Sequence, residues 1–183
     1  MVVLFIPCLI VAWIYNRIVM PLQESREPNY QFRDPIHDLL PKYDLSCLVR
    51  ASLYTALLQI TAETVTESIG AIQTFWLKYT ALLVVKTGML YLTPWNTPFD
   101  HQRLKDPLLA IMGGLPTDQT YSRDLMFSGH VGLLTLVALN SQYYLLAYIN
   151  LIIMATSVLV HRNHYTIDVV VAPFVAYVVN TIV

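Results

Sequence analysis

The chain has 183 residues, of which 56% are hydrophobic and 13% are charged, and its formal net charge is −1 at pH 7. A soluble domain carries about 25% charged residues, so this composition excludes an ordinary water-soluble surface and favours a membrane protein. The slightly negative charge also argues against a nucleic-acid partner, because contact with a phosphate backbone requires a basic face.

Six stretches of the chain are predicted to be membrane helices, each of which needs about 20 mainly apolar residues. In chain order they are residues 2–21, 47–67, 69–92, 125–141, 143–160 and 165–183. The first stretch lacks the basic segment and the cleavage site of a signal peptide, so we interpret it as a helix of the mature protein. We therefore predict an all-α protein, a six-transmembrane-helix bundle that forms a single domain over residues 1–183.

Two connections between the predicted helices are long, at residues 22–46 and 93–124. In such a bundle the connections alternate between the two sides of the membrane, so the first, third and fifth share one face. That face receives both long connections and also the sequences "RDLMFSGHVG" (123–132) and "HRNHYTIDVVVA" (161–172). The functional residues are therefore expected on this face.

The sequence "HYTID" places His164 and Asp168 four residues apart. On a helix this spacing puts both side chains on one face, where the carboxylate can fix the imidazole tautomer and leave the other ring nitrogen as a base or nucleophile. The alternative is that Asp168 only complements the dipole at the start of the last predicted helix. An ionisable side chain at the centre of a membrane span costs about 2.5–3.5 kcal/mol, which favours the functional interpretation.

The sequence "FSGH" opens the fourth predicted helix. Ser128 is suited to cap a helix, Gly129 would allow a ligand to approach the backbone closely, and His130 falls in the first turn. The free amide groups of such a turn favour an anion. The alternative is an ordinary cap with an incidental histidine, but the histidine–aspartate pair on the same face favours a joint site.

"SGH" followed by "HxxxD" resembles the second and third motifs of the type-2 phosphatidic acid phosphatase superfamily. The longer stretches "SRDLMFSGH" and "HYTIDV" are more similar to its sphingomyelin synthase branch, in which an aspartate that matches Asp124 lies six residues before the histidine. "RDPIHDLLP" (33–41) is loosely similar to the first motif of that branch, and bacterial phosphatase-related membrane proteins share the same style of sequence. The Arg-Pro pair of the superfamily's own first motif does not occur in this chain.

The resemblance implies a role for each residue of the site. His164 would attack phosphorus, Asp168 would orient it, and His130 would transfer protons to and from the alcohols. The substrate would be held by Arg123, Asp124, Ser128, Gly129 and Arg162. Such a double displacement requires neither a metal ion nor another cofactor.

The implied function is that of a lipid headgroup phosphotransferase, which moves a phospho-headgroup from a phospholipid to a lipid alcohol such as ceramide or diacylglycerol through a phosphohistidine intermediate. The first alternative is a lipid phosphate phosphatase or phospholipase C-type hydrolase that uses the same site with water. The second alternative is a non-catalytic lipid-binding or transport protein of the membrane. The expected partners are a phospholipid donor and a lipid acceptor in the membrane, and association into a homo-oligomer stays open.

The remaining histidines and one lysine admit simpler interpretations. A metal site is an alternative for the histidine cluster, and it would use His130, His161, His164 and Asp168. His37 and His101 are predicted to be solvated loop residues. Lys86, in the third predicted helix, could reach a phosphate, but the favoured interpretation is that its side chain extends toward the membrane surface.

Two arguments about the sidedness of the protein disagree. The loop Lys and Arg residues lie on the face that receives both long connections. The positive-inside rule would place this face in the cytoplasm. The resemblance implies the opposite side. Because several of these arginines have a catalytic reason for their position and acidic residues accompany them, we expect a multi-pass protein with its active site on the exoplasmic or periplasmic face.

Overall fold

A computed structural model of the protein describes residues 2–27, 30–67, 69–102, 104 and 121–183. Within these ranges the regular structure is helical, which confirms the all-α prediction, and an isolated bridge joins Tyr30 to Trp95. Half of the third connection, residues 105–120, lies outside the described residues.

The helices follow the six predicted stretches closely. The first stretch is a continuous helical run made of α1 (Val2–Ile14), a π-helical turn (Tyr15–Val19) and α2 (Met20–Ser25). After the short helix α3 (Pro35–Leu39), the chain forms α4 (Ser46–Glu67), α5 (Ile69–Leu92), α6 (Gly129–Asn140), α7 (Tyr144–Val160) and α8 (Thr166–Ile182). Helix α3 is an addition to the predicted elements and lies within the first long connection.

Helix α6 is the centre of the bundle. It packs against α4, α5, α7 and α8, and every residue from His130 to Ala138 is buried. It begins later than the predicted start at 125, because Ser128 has an extended backbone and its hydroxyl caps the helix by accepting the Val131 amide. With 12 residues, α6 is about 18 Å long at a rise of 1.5 Å per residue.

The outward faces of the surrounding helices are apolar. Leu145 and Ile152 on α7 are 67% and 65% exposed, and Phe174 on α8 is 69% exposed. Monomeric soluble proteins rarely expose contiguous apolar patches larger than a few hundred Å². Large apolar side chains on neighbouring helices thus give α7 and α8 an apolar outer surface.

Within the described part of the chain, one helix, Ile6–Ser25, is long and apolar enough to cross a membrane by length and composition. Helices α6, α7 and α8 are apolar but shorter, whereas α4 and α5, with 22 and 24 residues, are long but carry polar side chains. The prediction of six helical stretches is thus confirmed. Length and composition support a membrane crossing for the first of these stretches.

A polar network closes the end of the bundle at the carboxyl terminus of α6. Lys78 donates a hydrogen bond of 2.8 Å to the Asn140 side chain, which in turn donates one of 2.8 Å to Asn180. Beside them, the buried carboxylate of Glu63 accepts the Ser141 hydroxyl at 2.8 Å. These bonds join α4, α5 and α8 to the last turn of α6, so they fix the position of the central helix along the bundle.

Candidate active site

The helices that carry the two motifs begin next to each other. The amide of Ser128 donates a hydrogen bond of 3.0 Å to the carbonyl of Asp168, so the cap of α6 is bound to the first turn of α8. His130 and Asp168 both belong to the first turns of their helices. Because the first amide groups of a helix carry positive partial charge, the start of α6 favours an anion at this junction.

His130, His164 and Asp168 come together at this junction, as the two motifs predict. The ring centroids of His130 and His164 are 6.4 Å apart, with an angle of 65° between the ring planes. His164 Nδ1 lies 3.4 Å from Asp168 Oδ2. All three side chains are buried, so the candidate catalytic residues form one cluster inside the bundle.

Asp168 is held in place by the start of its own helix. Its Oδ2 atom accepts the Tyr165 amide at 3.0 Å, which fixes the carboxylate beside the His164 ring. Nδ1 of His164 faces Asp168, Nε2 lies on the far side of the ring, and neither nitrogen forms a hydrogen bond with a described residue. A carboxylate beside one nitrogen and no protein partner on the other is compatible with a base or nucleophile.

A buried lysine of α5 reaches the start of α6. Lys86 is 3% exposed, and its ammonium group lies 2.6 Å from Asp124 Oδ1 and donates a hydrogen bond of 2.7 Å to the Phe127 carbonyl. The prediction that Lys86 extends toward the membrane surface is therefore wrong, because a carboxylate partner inside the protein holds its charge. Burial alone would raise the pKa of Asp124, but the charges of Lys86 and His164 hold that pKa below its ordinary value.

Gly129 makes room for this lysine. A Cβ atom at position 129 would lie 3.3 Å from Cε and 3.6 Å from Nζ of Lys86. A contact of 3.3 Å would force the lysine side chain to shift by a few tenths of an ångström. In the structure, Gly129 allows the close approach of Lys86. Contact between Gly129 and a ligand stays a prediction.

The first connection packs over the start of α8. Asp34 accepts the Thr166 amide at 2.6 Å and the Thr166 hydroxyl at 3.0 Å, and it also accepts the Ile36 amide, so one carboxylate caps both α3 and α8. His37 is 3% exposed and its ring lies 6.4 Å from that of Tyr165 in a stacked arrangement. The prediction that His37 is solvated is therefore wrong, because α3 places it against the residue that follows His164.

The two arginines of the motifs hold loop segments. The Arg123 guanidinium group donates to the Gln23 carbonyl at 3.2 Å and to the Arg26 carbonyl, both at the end of α2. The Arg162 guanidinium group donates to the His37 carbonyl at 2.7 Å. Both arginines thus attach neighbouring loops to the motif segments, and their contact with phosphate stays a prediction.

The other histidines of this face also make loop contacts. His161 Nδ1 accepts the Leu45 amide at 3.3 Å, and burial lowers the pKa of His161. His101 is half-buried and its Nδ1 atom lies 3.2 Å from the Arg162 carbonyl, so the ring has a protein partner. Among the described residues, no group of three or more His, Cys, Asp or Glu side chains is arranged to hold a metal ion.

Both motif loops contain a residue other than glycine with positive φ. Met126, just before the cap of α6, has φ 78°, and Arg162, just before His164, has φ 59°. Such left-handed conformations cost about 1–3 kcal/mol each and tend to occur at functional sites, where the surrounding contacts enforce them. In both loops, one residue next to the histidine cluster therefore has a backbone conformation that residues other than glycine disfavour.

Two residues of the site were not assigned from the motifs, namely Asp34 and Lys86. The sequence contained one signal for them, since a lysine in an otherwise apolar helix requires a partner. The chain matches no protein-family model and no curated protein. The assignment of the site therefore depends on its residues and their geometry.

Proposed function

We propose that the protein is a membrane enzyme that moves a phospho-headgroup from a phospholipid to a lipid alcohol. The observation that carries this proposal is the cluster in which the His130 and His164 rings are 6.4 Å apart and His164 Nδ1 is 3.4 Å from Asp168. One histidine oriented by a buried carboxylate suits a nucleophile, and a second histidine beside it suits an acid–base group.

In the first half of the reaction, Nε2 of His164 attacks the phosphorus of the phospholipid. A bond forms between nitrogen and phosphorus while the bond from phosphorus to the diacylglycerol oxygen breaks. His130, in its protonated form, donates its proton to that oxygen, and diacylglycerol leaves. Asp168 stabilises the positive charge that develops on the His164 ring, because its carboxylate lies on the Nδ1 side.

In the second half, the acceptor alcohol gives its proton to His130 and attacks the same phosphorus. The nitrogen–phosphorus bond breaks, the headgroup stays on the acceptor oxygen, and His164 is restored. Water in place of the alcohol would give the hydrolase. The two enzymes share every protein group, so the acceptor that reaches the site decides between them.

Several groups of the chain are suited to the negative charge of the reacting phosphoryl group. The first turn of α6 lies at the junction, and the amide groups of a helix start are preorganised donors that stabilise developing charge without reorganisation. The ammonium group of Lys86 lies beside Gly129 at the start of α6. A phosphoryl group bound there would meet positive partial charge from the start of α6 and would share the Lys86 ammonium group with Asp124.

The exposed apolar surface supports lipids as substrates. Leu145, Ile152 and Phe174, each at least 65% exposed, give the outer helices a surface compatible with acyl chains. A multi-pass protein with this surface takes donor and acceptor from the same bilayer. The proposal therefore combines a polar cluster at the start of the central helix with a lipid-facing exterior.

Lipid analysis of the purified protein in vesicles tests the proposal. Vesicles contain headgroup-labelled phosphatidylcholine or phosphatidylethanolamine, with and without ceramide or a diacylglycerol whose acyl chains differ in length from those of the donor, and the His164→Ala protein is the control. New labelled lipid that depends on the acceptor identifies the transferase, whereas water-soluble labelled phosphate or phospho-headgroup identifies the hydrolase. If neither appears above the His164→Ala control, the protein is not an enzyme of this class and lipid binding is the remaining interpretation.

The same assay gives a prediction about metal ions. We expect activity to be unchanged within about twofold after incubation with a strong chelator, because the proposed steps use only side chains and helix amides. Activity is measured before and after removal of the chelator, with divalent ions added back. Complete loss that divalent ions restore would overturn the proposed mechanism and favour a histidine–metal site.

A second prediction concerns the side of the membrane. Cys8 is buried, whereas Cys47 is exposed near the start of α4, on the face of the histidine cluster. If that face is exoplasmic, a membrane-impermeant thiol reagent added to intact cells should label the protein, and the Cys47→Ser variant should stay unlabelled. Labelling of Cys47 only after permeabilisation would place the catalytic face in the cytoplasm.

A further inference from the structure

The ammonium group of Lys86 has more donors than the described part of the chain has acceptors for it. An ammonium group carries three N–H donors. Two of them are used, since Nζ lies 2.6 Å from Asp124 Oδ1 and donates a hydrogen bond of 2.7 Å to the Phe127 carbonyl. The centroid of the Phe127 ring is 5.2 Å from Nζ, and this ring offers a cation–π contact but no acceptor atom. One N–H of Lys86 is thus left for a ligand.

This ammonium group lies beside the first turn of α6, next to the histidine cluster. A Cβ atom at Gly129 would be 3.6 Å from Nζ, and His130 is the next residue of the helix. Nε2 of His164, a side chain that is 1% exposed, has no partner among the described residues. A phosphoryl group at the start of α6 beside His164 would therefore be within reach of the ammonium group.

A phosphoryl group bound to Lys86 would also be close to Asp124. N–H···O hydrogen bonds are about 2.7–3.2 Å long, so two acceptors of one ammonium group lie at most about 6 Å apart. This limit holds for every orientation of the substrate. The carboxylate is charged, because the ammonium group and the Tyr15 phenol both bind its Oδ1 atom and such partners favour the charged form. Asp124 thus neutralises the cation that the substrate would use.

We infer that Asp124 is a specificity-determining residue, which favours phosphodiesters, with one negative charge, over phosphomonoesters, with two. The inference rests on the proposed transfer reaction and names the charge class of its substrate. Lys86 and Asp124 together carry no net charge, so the second charge of a phosphomonoester gains little from the pair and is repelled by the carboxylate. The guanidinium groups of Arg123 and Arg162 donate to carbonyl groups of other segments. The site is therefore suited to phospholipids that carry a headgroup and not to phosphatidic acid.

Two lipids that differ only in the charge of their phosphate test the inference. Phosphatidic acid is a phosphomonoester, whereas phosphatidylmethanol is its methyl ester and has a single charge. Short-chain forms of both are titrated by calorimetry into the protein in detergent micelles at about pH 8.5, where a phosphomonoester carries two charges. All proteins carry His164→Ala, so that binding is measured without turnover.

We expect phosphatidylmethanol to bind about tenfold more tightly than phosphatidic acid when Asp124 is present. Asp124→Asn should shift the ratio of the two dissociation constants toward phosphatidic acid by at least about tenfold, because Lys86 then keeps its full charge for the ligand. The Asn side chain still offers an oxygen to Lys86, so the change is in charge and not in size. Tm is measured for each variant, because the substitution removes the counter-ion of a buried lysine.

Glu24→Gln is the matched control. Glu24 holds the same segment of the chain, since its carboxylate accepts the Ser122 hydroxyl at 2.9 Å and the Arg123 amide at 2.8 Å. Its replacement removes one negative charge near the segment that carries Asp124 and leaves the contact between Asp124 and Lys86 in place. We expect the ratio of dissociation constants to change less than about threefold, because solvent and salt screen this charge.

A ratio that stays within about twofold in Asp124→Asn, or an equal shift in Glu24→Gln, would overturn the inference. Phosphatidic acid that binds at least as tightly as phosphatidylmethanol when Asp124 is present would overturn it without any substitution at position 124, even if Asp124→Asn fails to fold. Binding of neither lipid would overturn it as well. These outcomes do not depend on turnover, so absence of transfer in the unmodified protein together with the expected binding would refute the proposed function and leave the charge selectivity in place.

Discussion

Replacement of His164 with Ala is expected to abolish phospholipid turnover, with a loss of at least about a thousandfold, because removal of a nucleophile leaves only the contribution of binding and electrostatics. The ring is buried, so the substitution also leaves a cavity, and the Tm has to be measured alongside the labelled-lipid assay. The matched control is His161→Ala. His161 is equally buried and belongs to the same loop, but its Nδ1 atom serves the Leu45 amide.

We expect the control to lower the Tm at least as much as His164→Ala does, while turnover stays within severalfold of the unmodified protein. The contrast is informative because both variants lose a buried imidazole, and only one of them loses the ring beside Asp168. Turnover above a few per cent in His164→Ala would eliminate the phosphohistidine intermediate. Equal loss of turnover in both variants would mean that the loop, and not the nucleophile, controls activity.

Replacement of Asp168 with Asn is expected to lower turnover by about a thousandfold with little change in Tm. The amide oxygen of Asn can still accept the Tyr165 amide, so the helix start is retained, but a neutral side chain cannot stabilise the charged His164 ring. The matched control is Asp34→Asn. Asp34 caps the same helix from the first connection, through the amide and hydroxyl groups of Thr166.

For Asp34→Asn we expect the reverse pattern, a lower Tm with turnover retained within severalfold. Burial would raise the pKa of Asp34, but the Thr166 amide and hydroxyl hold that pKa below its ordinary value. The stability that the Asp34 carboxylate contributes is therefore present above the pKa of the unfolded chain and is lost as pH falls through the folded value. Tm measured against pH should show that the difference in Tm between the unmodified protein and Asp34→Asn becomes smaller in acid.

If Asp168→Asn kept its turnover, or if its loss of turnover only followed a loss of Tm, Asp168 would be a helix cap without a catalytic role.

The helices could be predicted from the sequence because each is a long apolar stretch between clear breaks. The end of the first at Ser25 and the cap at Ser128 both correspond to polar residues. The meeting of His130 with the His164–Asp168 pair was also predictable, since connections on the same side of a bundle approach each other. What the periodicity could not reveal is that Ser128 and Asp168 are joined by a backbone hydrogen bond.

The residues that were missed depend on contacts between distant parts of the chain. Lys86 was expected at the membrane surface because a lysine in an apolar helix usually extends its charge outward, and its partner Asp124 lies far along the chain. His37 was expected in solvent because nothing in a loop sequence predicts the stacking on Tyr165. The π-turn at Tyr15 has no sequence pattern of its own. In each case, the tertiary partner decides where the side chain goes.

The central helix is shorter than the bilayer that the proposed function requires. Helix α6 has 12 residues, about 18 Å in length, whereas the hydrocarbon layer of a membrane is about 30 Å thick. In a bilayer, the histidines at its start would then lie below the level of the phosphates, or the lipids around the protein would be compressed. A headgroup would enter sideways between helices instead of from the water. The rate of the reaction would consequently depend on bilayer thickness and on the lateral supply of both lipids, and lipid composition would act as a control on the enzyme.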